Sequence, residues 1–89
     1  MLTSVQSRAG RALLGWSQTE LAERSHLGLS TIRDFEKGRR IPTINNLAAI
    51  EQALEAAGVE LIAENGGGPG VRLNRRQGGT HPRAQRMRR

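Results

Sequence analysis

Two helical patterns lie close together in the stretch SQTELAERSHLGLSTIRDFEKG, residues 17–38, and they constrain the fold more than any other feature of the chain. Ser17 and Glu20 have the S-x-x-E spacing of a capping box, which predicts that one helix begins at Ser17. The next helix is predicted over residues 29–37. So few residues separate the two helices that their axes must meet at a tight corner.

The residues around this corner favour a helix-turn-helix arrangement. Ala22 is small enough to let the two helix axes approach, and Ile32 and Phe35 would bury the second helix against the first. His26 falls where the turn needs a left-handed backbone, which histidine adopts more often than most residues do. In such an arrangement the outer face of the second helix is free to enter a DNA major groove.

Two further helices are predicted on either side of this pair, over residues 4–14 and over residues 44–57, where Thr43 can act as N-cap. Each has an apolar stripe at helical spacing. The stripes consist of Val5, Ala9, Ala12 and Leu13 in the first helix and of Leu47, Ile50 and Leu54 in the last. The sequence therefore indicates a compact, mainly α, four-helix domain over residues 1–58.

The pattern changes after Gly58. Residues 59–63, VELIA, and residues 71–73, VRL, are typical of short strands on either side of the glycine-rich ENGGGPG. We therefore expect residues 59–74 to form a short β-hairpin that serves as a dimerisation element. Residues 75–89 have almost no apolar side chain and are predicted to form a basic, disordered tail.

The formal net charge of +6 is concentrated at the C-terminal end. Residues 1–70 carry seven basic and eight acidic side chains, whereas residues 71–89 carry seven arginines and no acid. A basic tail suits a polyanionic partner such as nucleic acid, although arginine-rich ends are also common as solvated tails.

The composition argues against several other classes of protein. The chain has no cysteine, and His26 and His81 lack the neighbours that would complete a metal site. The Gly66–Gly68 run lacks the preceding strand and following helix of a phosphate loop, and no nucleophile–base set is visible. No apolar run approaches the roughly 20 residues of a membrane span. We therefore expect a cytoplasmic, non-enzymatic protein without metal, cofactor or membrane contact.

Residues 5–58 resemble the DNA-binding domain of the phage repressor and Cro family, also called the XRE family. The matching segments are GWSQTELAER, STIRDFEKGRRIP and the amphipathic helix that follows. The resemblance implies a lambda-repressor-like helix-turn-helix fold that presents a recognition helix to double-stranded DNA.

The resemblance also implies roles for individual residues. The face that meets base edges consists of Leu29, Ser30, Thr31, Arg33 and Asp34. The residues that bind DNA phosphates are Ser17, Gln18, Lys37, Arg39 and Arg40, and Gln18 also braces the recognition helix. Arg11 and Glu36 align with a buried ion pair that ties the first helix to the end of the third.

Side-chain chemistry leaves alternatives open at the base-reading positions. Arg33 can bind guanine O6 and N7 together, or it can pair with solvent and neighbouring side chains. Asp34 can accept from cytosine N4 or orient Arg33, and Leu29 can contact a thymine methyl group or cover the turn. At least one of Ser30 and Thr31 is expected to contact DNA.

One helix in one groove gives little affinity, so proteins of this type bind as dimers to half-sites about one helical turn apart. We expect the hairpin to supply the dimer interface through its apolar residues, because an isolated two-stranded hairpin is marginal in water. These residues are Val59, Leu61, Val71 and Leu73. The alternative is a hairpin that folds on its own subunit.

The sequence thus predicts a homodimeric, sequence-specific transcriptional regulator of the bacterial nucleoid that represses by occupying a palindromic operator. The alternative is an antitoxin-type DNA-binding module that also neutralises a toxin. Its protein partner would then be a toxin or an antiactivator.

Overall fold

The computed structural model describes residues 1–74 and shows four α-helices followed by a two-stranded antiparallel sheet. In chain order the elements are α1 (Ser4–Leu14), α2 (Gln18–Ser25), α3 (Leu29–Glu36), α4 (Ile44–Ala56), β1 (Val59–Ile62) and β2 (Gly70–Leu73). The predicted mainly α fold with a short C-terminal hairpin is confirmed. The tail that was predicted to be disordered, residues 75–89, lies outside the described residues.

Helix α2 begins at its predicted N-cap, but only half of the predicted capping box forms. The Ser17 hydroxyl accepts a hydrogen bond from the Glu20 N–H at 3.0 Å, whereas the Glu20 carboxylate accepts from Arg24 at 2.6 Å. The reciprocal box lies at the start of α1, where Thr3 and Gln6 bond to each other's backbone N–H at 3.1 and 3.0 Å. This box was not predicted from the sequence, although its T-x-x-Q spacing is a recognised signal.

The corner between α2 and α3 consists of hydrogen-bonded residues rather than an open loop. His26 has φ 61° and ψ 37°, the left-handed conformation expected at this position. The Leu27 N–H donates to the Ala22 carbonyl at 3.0 Å and closes the end of α2. Gly28 caps α3 through its backbone alone.

A single hydrophobic core joins the helices to the hairpin. Its buried apolar side chains are Leu2, Leu21, Ala22, Ile32, Phe35, Leu47, Ile50, Leu54 and Val59. Helices α3 and α4 therefore bury the residues that their periodicity predicts. Because Val59 belongs to the same core, the boundary predicted after Gly58 marks a change of secondary structure within one folded unit.

Helix α1 is where the sequence predicts, but its apolar stripe is not its buried face. Val5 is 56% exposed and Leu13 is 43% exposed, while Gln6, Ser7 and Gly10 face inward. A Cβ atom at Gly10 would lie 3.2 Å from Cδ2 of Leu54, so a larger residue here would need the Leu54 side chain to shift. The polar residues can be buried because each has hydrogen-bond partners. Val5, Ala12 and Leu13 of the predicted stripe are instead exposed.

The hairpin packs on α1 and α4 of its own subunit. Val59 pairs with Leu73 and Leu61 with Val71 across the two strands. The side-chain amide of Gln6 donates to the carbonyls of Ile62 and Gly70, both at 2.9 Å. One buried glutamine therefore ties both strands to α1.

This packing changes the set of residues predicted for a dimer interface. Val59 is 1% exposed, so it is part of the subunit's own core and presents no surface to a second copy. Leu61 and Val71 are half-buried against the core, and Leu73 stays exposed. Within this single chain the hairpin packs on α1 and α4, and a role of Leu61, Val71 and Leu73 in a dimer stays a prediction.

Candidate nucleic-acid interface

Helix α3 presents a polar surface to solvent. We call it the recognition surface, and it comprises Leu29, Ser30, Thr31, Arg33 and Asp34. Ser30 and Arg33 are exposed, because Ile32 and Phe35 bury the opposite side of this short helix. In the described part of the chain, Arg33 forms no ion pair, so its guanidinium remains available to a ligand.

The structure bears on the alternative roles of Leu29 and Asp34. Leu29 is half-buried and packs against the core, which places it over the turn as well as at the edge of the surface. No side-chain hydrogen bond or ion pair between Asp34 and Arg33 is present within residues 1–74. Asp34 therefore does not hold Arg33 in place in the free protein.

A basic loop follows α3 directly. We define it as Lys37, Arg39 and Arg40, whose side chains are all exposed. The N–H groups of Arg39 and Arg40 both donate to the Asp34 carbonyl, at 2.8 and 3.3 Å. Gly38 makes this reversal possible because its φ of 77° is strained for residues with a side chain. The loop cations are thus held beside the C-terminal end of the recognition surface.

The start of α2 brings Ser17 and Gln18 to the same part of the molecule. The Ser17 hydroxyl caps the helix and can still donate its own proton outward. The Gln18 amide donates to Glu36 Oε1 at 3.1 Å, so it links α2 to the end of α3. This contact is the bracing expected of Gln18, and its second N–H is left for another acceptor.

Glu36 is the point at which three helices meet below the recognition surface. Its side chain is buried, and its Oε1 lies 2.7 Å from Nη2 of Arg11, the predicted partner. The Nε of Arg11 adds contacts of 3.0 and 3.2 Å, so the guanidinium binds the carboxylate through two nitrogens. The Ser7 hydroxyl donates to Oε2 at 2.6 Å.

The carboxylate of Glu36 is ionised in spite of its burial. Burial raises its pKa, but hydrogen bonds from Arg11, Ser7 and Gln18, together with the positive charge of Arg11, lower the pKa below its ordinary value of 4.5. A buried pair of this kind fixes orientation more than it adds net stability, since desolvation offsets much of the attraction. The network therefore sets the direction of α3 relative to α1 and α2.

Residues 8–61 match a family model described as helix-turn-helix. The chain belongs to the helix-turn-helix family. The match spans the recognition surface, the basic loop and both partners of the Arg11–Glu36 pair. It confirms the resemblance to DNA-binding regulators of the phage repressor and Cro type.

A curated protein similar to this helix-turn-helix chain is multiprotein-bridging factor 1 of Schizosaccharomyces pombe (strain 972 / ATCC 24843). The two are 37% identical over 60 residues, which is 67% of this chain and 38% of the relative. The likeness therefore concerns the domain and leaves most of the relative's length unmatched.

Two of the residues that form hydrogen bonds to Glu36 were not predicted from the sequence. Ser7 donates to the Glu36 carboxylate, and Arg8 Nη1 donates to the Glu36 backbone carbonyl at 2.9 Å. Their signal in the sequence is weak, since polar residues at adjacent positions of a helix are ordinary on a solvated face. A serine one turn before Arg11 is the only hint of a shared partner.

Searches of the described residues for a metal-binding cluster and for a membrane-spanning helix found neither. Within residues 1–74 no group of three or more His, Cys, Asp and Glu side chains is arranged to share a metal ion. Over the same residues no helix is both long and apolar enough to cross a bilayer.

Proposed function

We propose that this protein is a homodimeric, sequence-specific DNA-binding regulator that represses transcription by occupying a palindromic operator. The observation that carries the proposal is the recognition surface, which is exposed, polar and held on a rigid corner beside a basic loop. This is the shape and charge that a helix needs to enter a major groove. Repression follows because a small domain can exclude polymerase simply by occupying the promoter.

Sequence recognition is assigned to the recognition surface. Arg33 can bind guanine O6 and N7 through two N–H groups. Its guanidinium is exposed and has no ion-pair partner within residues 1–74 that DNA would have to displace. Ser30 and Thr31 can contact a base or a phosphate. Asp34 can accept from cytosine N4, and Leu29 can touch a thymine methyl group at the edge of the surface.

Phosphate binding is assigned to the groups on either side of the recognition surface. These groups are Ser17, Gln18, Lys37, Arg39 and Arg40. The arginines of residues 75–89 would add contacts that do not depend on base sequence. Deleting residues 75–89 should then weaken binding to all duplexes alike and reduce the dependence of affinity on salt. Unchanged affinity and salt dependence would assign the tail another role.

Binding-site selection from random duplex DNA tests the function directly. We expect a palindromic motif for the wild type, and we expect Arg33→Ala to cost about 1–3 kcal/mol and to relax specificity at one position of each half-site. Arg72→Ala is the matched control, because Arg72 is also exposed but lies on the hairpin in a pair with Glu60. Recovery of random sequences, or equal loss in both variants, would contradict the proposal.

The dimer interface is proposed to combine the exposed end of β2 with the apolar stripe of α1. Helix α1 packs against the hairpin, and Leu73 lies opposite Val59, which in turn lies against Gly10 of α1. The exposed side chains of Leu73, Leu13 and Val5 are therefore on neighbouring elements. Exposed apolar side chains on adjoining elements mark interaction surfaces.

Sedimentation of full-length variants tests this interface without disturbing the core. We expect Leu13→Ser combined with Leu73→Ser to shift the protein toward monomer and to weaken operator binding. Arg72→Ser on the outward face of the same strand serves as the control. If the double variant sediments as the wild type does, the interface lies elsewhere or the protein does not dimerise.

A second candidate function is a DNA-binding module that also binds a partner protein, as an antitoxin does. It is supported by the name of the relative, a multiprotein-bridging factor, and by the exposed apolar side chains outside the recognition surface. Purification of the full-length protein from its natural host would distinguish the two. A stoichiometric partner that remains bound to the protein favours the second function.

A further inference from the structure

An apolar cleft opens beside the basic loop, between the N-terminal residues and the connection from α3 to α4. Its volume is about 350 Å³. The residues that line it include Leu2, Phe35 and Leu47 from the core, Met1 and Ile41 from the surface, and Arg40. The cleft thus has an apolar interior with a cation at its edge.

The two most exposed large apolar side chains among the described residues line this cleft. Ile41 is 83% exposed and Met1 is 82% exposed, and both line it. Ile44, the first residue of α4, is 73% exposed and follows three positions after Ile41. Large apolar side chains that are exposed together are characteristic of a surface that binds a partner.

The charge beside the cleft is positive. Arg40 lines it, and Arg39 and Lys37 belong to the same exposed loop. None of the three is in an ion pair within residues 1–74. The carboxylate of Glu51 accepts a hydrogen bond from the Leu2 N–H at 2.9 Å, and Glu51 does not line the cleft. A complementary ligand would therefore combine apolar side chains with carboxylates.

We propose that this cleft docks an acidic, amphipathic segment of a partner protein, with an apolar side chain in the cleft and carboxylates on the basic loop. A second copy of this chain is a poor occupant, because it would bring the same cations against one another. The tail is a poor occupant as well, since residues 75–89 carry six arginines and no acid.

Docking of such a segment would oppose DNA binding. This step depends on the proposed function, because the basic loop is there assigned to DNA phosphates. An acidic segment and a phosphate backbone would then compete for Lys37, Arg39 and Arg40. The partner would act as an antirepressor that neutralises the loop without touching the recognition surface.

The test uses the full-length protein and a fluorescein-labelled synthetic peptide of glutamates with leucines at positions i, i+3, i+4 and i+7. We expect fluorescence anisotropy to show binding, and Ile41→Ser to weaken it by about tenfold, the effect of one buried isoleucine. Ala56→Ser is the control, since Ala56 is also an exposed apolar residue but lies at the other end of α4, outside the surfaces assigned to DNA or to a second copy. Because Ile41 is outside the core, circular dichroism should show both variants folded.

Two control peptides and one competitor complete the design. A peptide with serine in place of leucine should bind at least about tenfold more weakly, and a lysine version should not bind. A selected operator duplex should displace the acidic peptide. Equal binding by the Ile41→Ser and Ala56→Ser variants, or by the leucine and serine peptides, would overturn the docking site.

The outcomes separate this inference from the proposed function. If the operator is selected and Arg33-dependent while the acidic peptide fails to bind, the inference is wrong and the function stands. If no duplex binds, the function is wrong, whereas peptide binding that depends on Ile41 still supports the docking site. A ternary complex in which peptide and duplex do not affect each other would refute the competition.

Discussion

The substitution Glu36→Gln tests whether the buried carboxylate organises the DNA-binding face. It keeps the size of the side chain but removes the charge and replaces one acceptor oxygen with an NH2 group. Glu36 now accepts hydrogen bonds from Arg11, Ser7 and Gln18. In the variant at least one of these donors faces another donor, and the Arg11 guanidinium loses its counter-ion.

The magnitude follows from the burial of the pair. Removing one partner of a buried ion pair costs about 3–5 kcal/mol because the other charge is left without compensation. The side chain of Arg11 is 18% exposed, so water can reach part of it. We therefore expect the free energy of unfolding to fall by about 3 kcal/mol, the lower end of this range. For a domain of this size that corresponds to a fall in Tm of about 12–24 °C.

Urea unfolding followed by circular dichroism gives the free energy of unfolding without adding salt. The matched control is Glu60→Gln, since Glu60 pairs with Arg72 on the exposed side of the hairpin, and it should leave unfolding unchanged. The Glu36→Gln variant should also bind its operator more weakly, because α3 loses its link to α1 and α2.

The dependence on pH gives a second measurement with a defined sign. The pKa of Glu36 is lower in the folded protein than its ordinary value of 4.5, so the carboxylate stabilises the fold above pH 4.5. This contribution is lost as the pH falls through 4.5 toward the lower folded pKa. The stability difference between wild type and Glu36→Gln should therefore be complete at neutral pH and shrink in acid. A difference below about 1 kcal/mol, or one that does not vary with pH, would refute the argument.

Three further substitutions test how the rest of the fold is held. Gln6→Glu puts a carboxylate against the two hairpin carbonyls and should cost at least about 2 kcal/mol, with faster amide hydrogen exchange in the hairpin; unchanged exchange would show that Gln6 does not hold the strands. Gly10→Val should lower stability by about 1–3 kcal/mol in thermal unfolding, because its side chain would meet Leu54, and an unchanged Tm would mean that the contact can relax. His26→Val, at φ 61°, should cost about 1–2 kcal/mol, whereas His26→Gly should be neutral or stabilising; the opposite order in urea unfolding would contradict the left-handed turn.

The helix-turn-helix corner could be predicted from the sequence because its signals are local. A cap residue at Ser17, inward residues at Ile32 and Phe35, and glycine after α3 each act within one or two helical turns. The apolar period of α4 is equally local. Such signals can be read without knowing which distant segment packs against these residues.

The buried face of α1 could not be predicted in this way. Its inner residues are two polar side chains and a glycine, and their partners lie far along the chain. Ser7 bonds to Glu36, and Gln6 bonds to the carbonyls of Ile62 and Gly70. Hydrophobic periodicity considers only apolar residues, so it predicted Val5 and Leu13 to be buried, whereas both are exposed. The hydrophobic pattern predicted the helix correctly but predicted the wrong face of it to be buried.

The Arg11–Glu36 pair could be predicted only through the resemblance to a family, and the reason is physical. Nothing in one sequence distinguishes a buried arginine from the many that stay in solvent. What identifies the pair in the structure is the arrangement of donors around Glu36, which come from α1 and α2 and include the unforeseen Ser7. The environment of this carboxylate depends on α1, α2 and α3 together, so no single stretch of the sequence predicts it.

The orientation of the recognition surface depends on polar contacts as much as on the core. Helix α3 has eight residues and buries only two large apolar side chains, Ile32 and Phe35. Two neighbouring hydrophobic anchors leave a short helix some freedom to turn about its axis, since apolar packing is not directional. Hydrogen bonds are directional, and those to Glu36 hold the end of α3 from two other helices. Because Arg33 lies less than one turn from Glu36, the contacts that hold the carboxylate also set the side of the domain from which the Arg33 side chain, proposed to read bases, extends.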